Sequence, residues 1–296
     1  MNHDDGVTIY RCVSANDCHE RALVLQAVGV AHEVRQDADG FSILVSATDA
    51  DRSAAELDAY ATENRDWIAV RTEIPNRANG WDGVLFFGTV LLLIAVLEQR
   101  RAFGLNWFAF GETNAGLIRQ GEWWRAVTAL TLHVDLGHLL ANLFIGSLLG
   151  LFAGQSLGSG FAWFMILMGG ALGNLLNATV RHSDHTSVGA STAVFAALGL
   201  LVANAWRQRR MPRTSKRERW VPLVGGVLLL SYLGTSGERT DVAAHVFGFM
   251  CGTLTGGFSG KLGDRFFAPR AQFLFGLAAL TFLALAWTLA LVPRTP

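Results

Sequence analysis

The chain has 296 residues, 51% hydrophobic and only 16% charged, with 24 basic and 24 acidic side chains. Globular domains carry roughly 25% charged residues, so this balance argues against a wholly water-soluble protein and points to a membrane protein. The net charge of zero selects neither acidic partners nor nucleic acid.

Residues 1–80 read as a soluble segment. Residues 7–13 alternate like a strand, and Glu20–Val28 has a short helical pattern ending at Gly29. His32–Gln36 and Phe41–Val45 read as strands joined by a turn over Asp37–Gly40. Ser53–Asn64 then reads as a second helix, with Ala54, Leu57 and Tyr60 on one face. The order β-α-β-β-α predicts a small α+β domain over residues 1–65, followed by a linker at 66–82. The three cysteines (Cys12, Cys18 and Cys251) imply neither a disulfide framework nor a metal site, and a reduced, cytosolic environment fits the N-terminus. The first apolar stretch long enough to insert begins after residue 80, which does not fit a signal peptide.

Seven apolar runs follow, at 83–98, 137–155, 160–180, 188–206, 220–236, 242–259 and 271–292. Each is near the length that crosses a hydrocarbon core of ~30 Å. The segment 100–136 is rich in aromatics (Trp107, Phe108, Phe110, Trp123 and Trp124), which suits helices lying at the membrane interface. Orientation follows from the basic loops. Residues 207–219 carry seven Lys/Arg and 261–270 carry three, whereas 181–187 and 237–241 carry one each. The positive-inside rule then puts the N-terminus in the cytosol and the C-terminus outside. The basic loop is a topology signal, not a nucleic-acid site.

Polar residues stand out inside these uncharged spans. Ser191 and His245 each open or interrupt a hydrophobic run, and polar side chains in hydrocarbon need partners. A serine able to pass its proton to a histidine is a minimal activated nucleophile. His133, His138 and Asn142 form an H-x4-H-x3-N pattern that sets His138 and Asn142 on one helix face. Counting spans puts all of them in the same half of the bilayer. Taken singly, each has a packing explanation. Gly189-x-Ser191 reads as a small-residue face, and the one-turn step from Gly248 to Gly252 reads as a close helix contact. Such a contact would also bring His245 to Ser191. His133, His138, His182 and His185 lack the His-Glu-x-x-His spacing of a zinc hydrolase, so no metal or other cofactor is expected.

Taken together, Glu122-Trp-Trp124-Arg125, His133-x4-His138-x3-Asn142, Gly189-x-Ser191 and Ala244-His245-x2-Gly248-x3-Gly252 resemble the rhomboid intramembrane serine proteases. The resemblance covers residues 83–259 and implies an all-α polytopic membrane protein with a six-helix core. Residues 260–296 would add a seventh transmembrane helix, and the β-α-β-β-α leader is similar to the cytosolic domain of some bacterial members. The resemblance implies Ser191 as nucleophile and His245 as general base. His138, Asn142 and the Ser191 N–H would be oxyanion donors. Gly189, His133, Trp124, Arg125, Phe195, Gly248 and Gly252 would be structural. Phe195 stands where many members carry a tyrosine, and Gly154-Gln155 where a glutamate is common. The expected substrate is a transmembrane protein within the lipid bilayer of the inner membrane, cut near its outer end. The alternatives are an inactive client-binding relative and a transporter, but the latter lacks charged groups in the spans.

Overall fold

The computed structural model describes residues 6–12, 14–37, 40–64, 79–208, 216–234, 241–259 and 264–292. Residues 66–78 of the expected linker, 209–215 of the basic loop, 38–39 of the hairpin turn, and parts of the 237–241 and 261–270 loops lie outside the described residues. The chain divides into two compact units, 1–71 and 72–296.

In the first unit, β1 (Gly6–Cys12), β3 (Gly40–Ser46) and β2 (His32–Asp37) form an antiparallel sheet in the order β1-β3-β2. Two helices, α1 (Ala15–Ala27) and α2 (Ala50–Glu63), enclose its core of Leu25, Val30, Ile43, Val45 and Leu57. α1 begins five residues earlier than its apolar pattern indicates. Ser14 caps it, its hydroxyl accepting the Asp17 N–H at 3.2 Å. The early start also corrects the cysteine reading: Cys12 and Cys18 form a disulfide, with Cα atoms 5.3 Å apart. The strand ends at Cys12 and the helix turns back at once, which brings Cys18 from its first turns onto the buried end of β1. Cys251 is the free cysteine.

The second unit is a helical bundle. Among the described residues, four helices are long and apolar enough to cross a membrane: α3 (Trp81–Gln99), α7 (Leu136–Leu157), α8 (Ser159–Val180) and α12 (Pro269–Leu291). Between α3 and α7 run three short helices, α4 (Trp107–Gly111), α5 (Ala115–Arg119) and α6 (Arg125–Thr128), with the two-residue strand β4 (Thr113–Asn114) between α4 and α5. A second two-residue strand, β5 (Thr186–Ser187), pairs with β4 just ahead of the central helix. The remaining helices, α9 (Ser191–Gln208), α10 (Lys216–Gly234) and α11 (Val242–Ser259), contain shorter apolar stretches. The protein is a multi-pass, all-α membrane protein with a small strand-containing leader.

α9 lies at the centre, packed by α7, α8, α10 and α11. Nearly every residue from Ala190 to Leu200 is buried. At 1.5 Å per residue its 18 residues extend only about 27 Å, short of a full span. Small residues let its neighbours approach. Gly248, Gly252 and Gly256 of α11 lie in turn over the backbone of Thr192, Ala196 and Leu200, so a methyl group on any of them would strike α9 main-chain atoms. Gly169, Gly170 and Gly173 of α8 close onto the same helices from the other side. Close backbone approach through small residues is the usual way membrane helices associate. α7 also runs close to the start of α3: a Cβ on Gly154 would sit 3.2 Å from the Gly80 Cα, a tight approach.

α12 is tied into the bundle by polar and aromatic groups. The Gln272 amide donates to the carbonyls of Leu157 (3.2 Å) and Phe266 (3.1 Å) and accepts the Phe161 N–H at 3.0 Å. Trp107 packs on Trp287 and Trp123 on Phe282, while the Trp287 N–H donates to Thr131 at 3.2 Å.

Candidate active site

The segment between α3 and α7 frames one side of the site. Arg125 is buried at its centre. It donates to Glu122 at 2.5 Å and to the carbonyls of Glu112 and Ala109, both at 3.0 Å. A guanidinium satisfies several carbonyls with one planar group, which suits a region of irregular backbone. Trp124 packs with the aromatic cluster that faces α12. The segment is stitched to the approach to α9: Thr113 pairs with Ser187, and the Gly189 N–H donates to the Ala129 carbonyl at 2.9 Å.

The turn into α9 is tightly specified. Gly189 has φ +128°, a left-handed conformation that favours glycine. A Cβ there would lie 2.5 Å from the His138 ring. The next residue, Ala190, donates its N–H to His133 Nε2 at 3.3 Å. His133 must be neutral to accept it. Burial, and secondarily the nearby His138 charge, push its imidazole down to about 4.

Ser191 then opens α9. His245 Nε2 lies 2.9 Å from Ser191 Oγ, although the residues are 54 positions apart. The glycine register explains the meeting: seating Gly248 on Thr192 brings His245, three residues earlier, alongside Ser191. The Phe195 ring, one turn beyond the serine, lies 4.4 Å from the His245 ring and keeps the aromatic face without a hydroxyl.

Ser191, His245, His138 and Asn142 all line one cavity of about 990 Å³. His138 and Asn142 project from the first two turns of α7, whose start is fixed by Asp135 accepting the His138 N–H at 2.8 Å. The buried Asn142 amide spends one donor on the His138 carbonyl at 3.1 Å, and an amide nitrogen has two. Glu112 also lines the cavity; burial pushes its carboxyl up, partly offset by Arg125. Among the described residues no group of three or more His, Cys, Asp or Glu is placed to hold a metal ion. His185 is drawn instead into an ionic cluster around Asp241. The sequence gives that cluster only one sign: an aspartate at the helix-capping position four residues before His245.

Residues 120–262 match the Rhomboid domain family model. The chain is 31% identical to Rhomboid-like protease 2 of Toxoplasma gondii over 154 residues, 50% of this chain and 51% of that protein. It is 31% identical to Rhomboid protease GluP of Bacillus subtilis over 150 residues, 51% of this chain and 28% of that protein. Rhomboid-like protease 1 of Toxoplasma gondii is 30% identical over 153 residues, half of each chain. The matched stretch thus spans about half or less of these relatives. Residues 120–262 thus carry the Rhomboid domain pattern, and over that stretch the chain is similar to rhomboid proteases.

Proposed function

We propose that this protein is an intramembrane serine endopeptidase that uses Ser191 as nucleophile and His245 as general base. The observation that carries the reading is the 2.9 Å contact between Ser191 Oγ and His245 Nε2 inside a cavity walled by apolar helices. Ser191 attacks the scissile carbonyl as its proton passes to His245 Nε2. Negative charge develops on the carbonyl oxygen, where His138, Asn142 and the Ser191 N–H are the proposed donors. The imidazolium returns its proton to the leaving amine, and a water molecule activated by His245 releases the acyl group. These residues need no metal or organic cofactor for the reaction.

The proposed substrate is a transmembrane protein whose helix unwinds at the Ser191 end of the bundle. In keeping with the basic loops, that end faces outward, the N-terminal domain lies in the cytosol and α12 ends outside. The proposed layout remains the soluble domain at 1–65, the linker at 66–82, the catalytic core at 83–259 and the added helix from 260. The test is cleavage of a tagged transmembrane substrate by the protein reconstituted in lipid vesicles. Wild type should release product and S191A should not. Equal behaviour of the two would reduce the protein to a client-binding member of its fold.

A further inference from the structure

Asp241 is a largely buried carboxylate in the cavity wall that the proposed reaction does not use. Its side chain is 10% exposed and accepts from four donors, about as many as a carboxylate has lone-pair sites. Oδ1 takes the Arg181 guanidinium and the Ala244 N–H (3.3 Å). Oδ2 takes the Asn177 amide (2.6 Å) and His185 Nε2 (2.7 Å). Burial alone would raise this carboxyl, but Arg181, His185, the Ala244 N–H and Asn177 together hold it below its ordinary value. The carboxylate is therefore ionised and has little rotational freedom.

The donors come from two directions. Ala244 belongs to the first turn of α11, and the Asp241 carbonyl accepts the His245 N–H at 3.2 Å, so Asp241 caps the helix that carries His245. Asn177 and Arg181 lie at the end of α8, and His185 lies on the approach to β5, six residues before Ser191. One side chain thus ties the first turn under His245 to the segment that delivers Ser191. The glycine contacts fix the body of α11 three residues further on, and a helix end left without its cap frays over that first turn.

We propose that Asp241 is a positioning residue, holding His245 in register with Ser191 by anchoring the start of α11 to Arg181, His185 and Asn177. This rests on the Ser191–His245 reading. Small displacements of a catalytic group cost up to about 100-fold in rate. The arrangement therefore acts on turnover rather than on substrate binding.

The experiment uses the full chain in lipid vesicles with a fluorogenic transmembrane substrate. D241N and D241S both keep an oxygen able to cap α11 but break the four-donor node, whereas H185Q and R181Q leave the cap intact. Expected is a fall in kcat of about tenfold or more in D241N and D241S, smaller falls in H185Q and R181Q, and KM within about threefold of wild type. The D241S/H185Q pair should be no slower than D241S alone, since both changes break one network. Labelling of Ser191 by a fluorophosphonate should slow in parallel at equal amounts of folded protein. Wild-type kcat in both Asp241 variants, or a change in KM alone, overturns the proposal. If the Asp241 variants fail to fold, wild-type kcat in both H185Q and R181Q overturns it just as well. A wild type no faster than S191A takes down the dyad and this proposal together, which separates the two failures.

Discussion

Gly252 of α11 lies on the Ala196 backbone of α9 so closely that even a single added methyl group would strike the Ala196 carbonyl. With Gly248 on Thr192 and Gly256 on Leu200, it forms a three-step seam at four-residue intervals. The helix positions that make a short interhelical contact are thus the ones that bring an imidazole to a serine. Packing and chemistry share one register.

The seam predicts that bulk at Gly252 damages both. Gly252→Val must push the helices apart or rotate them, at about 1–3 kcal/mol for overpacking of this kind. Expected are a lower unfolding midpoint in detergent and a loss of Ser191 labelling by a fluorophosphonate. Gly257→Ala is the control, because an added methyl there meets nothing within 4 Å. Unchanged labelling in G252V would mean that the seam does not set the dyad distance.

Replacing either member of the pair should remove cleavage while the fold persists. In the proposed mechanism Ser191 and His245 act as a unit, so S191A and H245A should each bring the rate to background, and the double variant should be no worse. N142A should keep a measurable residue of activity, about 10²–10³ below wild type, since one of several proposed donors is lost. Product release measured over hours in vesicles distinguishes these levels. An N142A rate equal to wild type would remove Asn142 from the oxyanion site.

Gln272 offers a stability test away from the chemistry. Its amide satisfies Leu157, Phe161 and Phe266 where α12 crosses the α7–α8 turn. Leucine at this position would leave the Phe161 N–H without its present acceptor, at about 1–3 kcal/mol. Q272L should therefore lower the unfolding midpoint while kcat of the folded fraction stays near wild type. An unchanged midpoint would show that α12 is held by its aromatic contacts alone.

Much of this was legible in the sequence because the bilayer forces apolar runs to be helices and makes every intramembrane polar group conspicuous. Ser191, His245, His138 and Asn142 stand out for that reason, and Gly248 and Gly252 carry the packing period openly. The Asp241 node was not legible, because its donors Asn177, Arg181 and His185 lie 56 to 64 positions away in sequence and meet only after folding. The start of α1 was missed because its first turn is polar and lacks the apolar period that marked Glu20 onward. That displacement hid the Cys12–Cys18 pair.

The pair predicts a thiol count. Alkylation of the denatured, unreduced protein should modify one cysteine, Cys251, and reduction beforehand should raise the count to three. Intact-mass measurement reads this directly. Disulfides persist in oxidising compartments, whereas the proposed topology, read from the positive-inside rule, places this unit in the cytosol, so the two signals pull in opposite directions. Alkylation inside living cells, before lysis, reads the state of the pair where the protein resides. Three modified cysteines in the isolated, unreduced protein would contradict the pairing itself.

His133 predicts the acid limb of stability. Its imidazole is pushed from 6.5 down to about 4 in the folded protein, chiefly by burial. Between those values the unfolded chain holds the proton and the folded chain does not, so stability rises with pH across the window. It is complete above about pH 6.5 and lost as pH falls towards 4, when folding must either strip the proton or bury the charge. A protonated His133 also cannot accept the Ala190 N–H, which fixes the turn into α9. Unfolding midpoints of wild type should therefore fall from pH 7 to pH 4 more steeply than those of H133Q, whose amide oxygen accepts the N–H without titrating. Equal slopes for the two proteins over that range would show that His133 is protonated as readily folded as unfolded, and the neutral acceptor would have to be sought elsewhere.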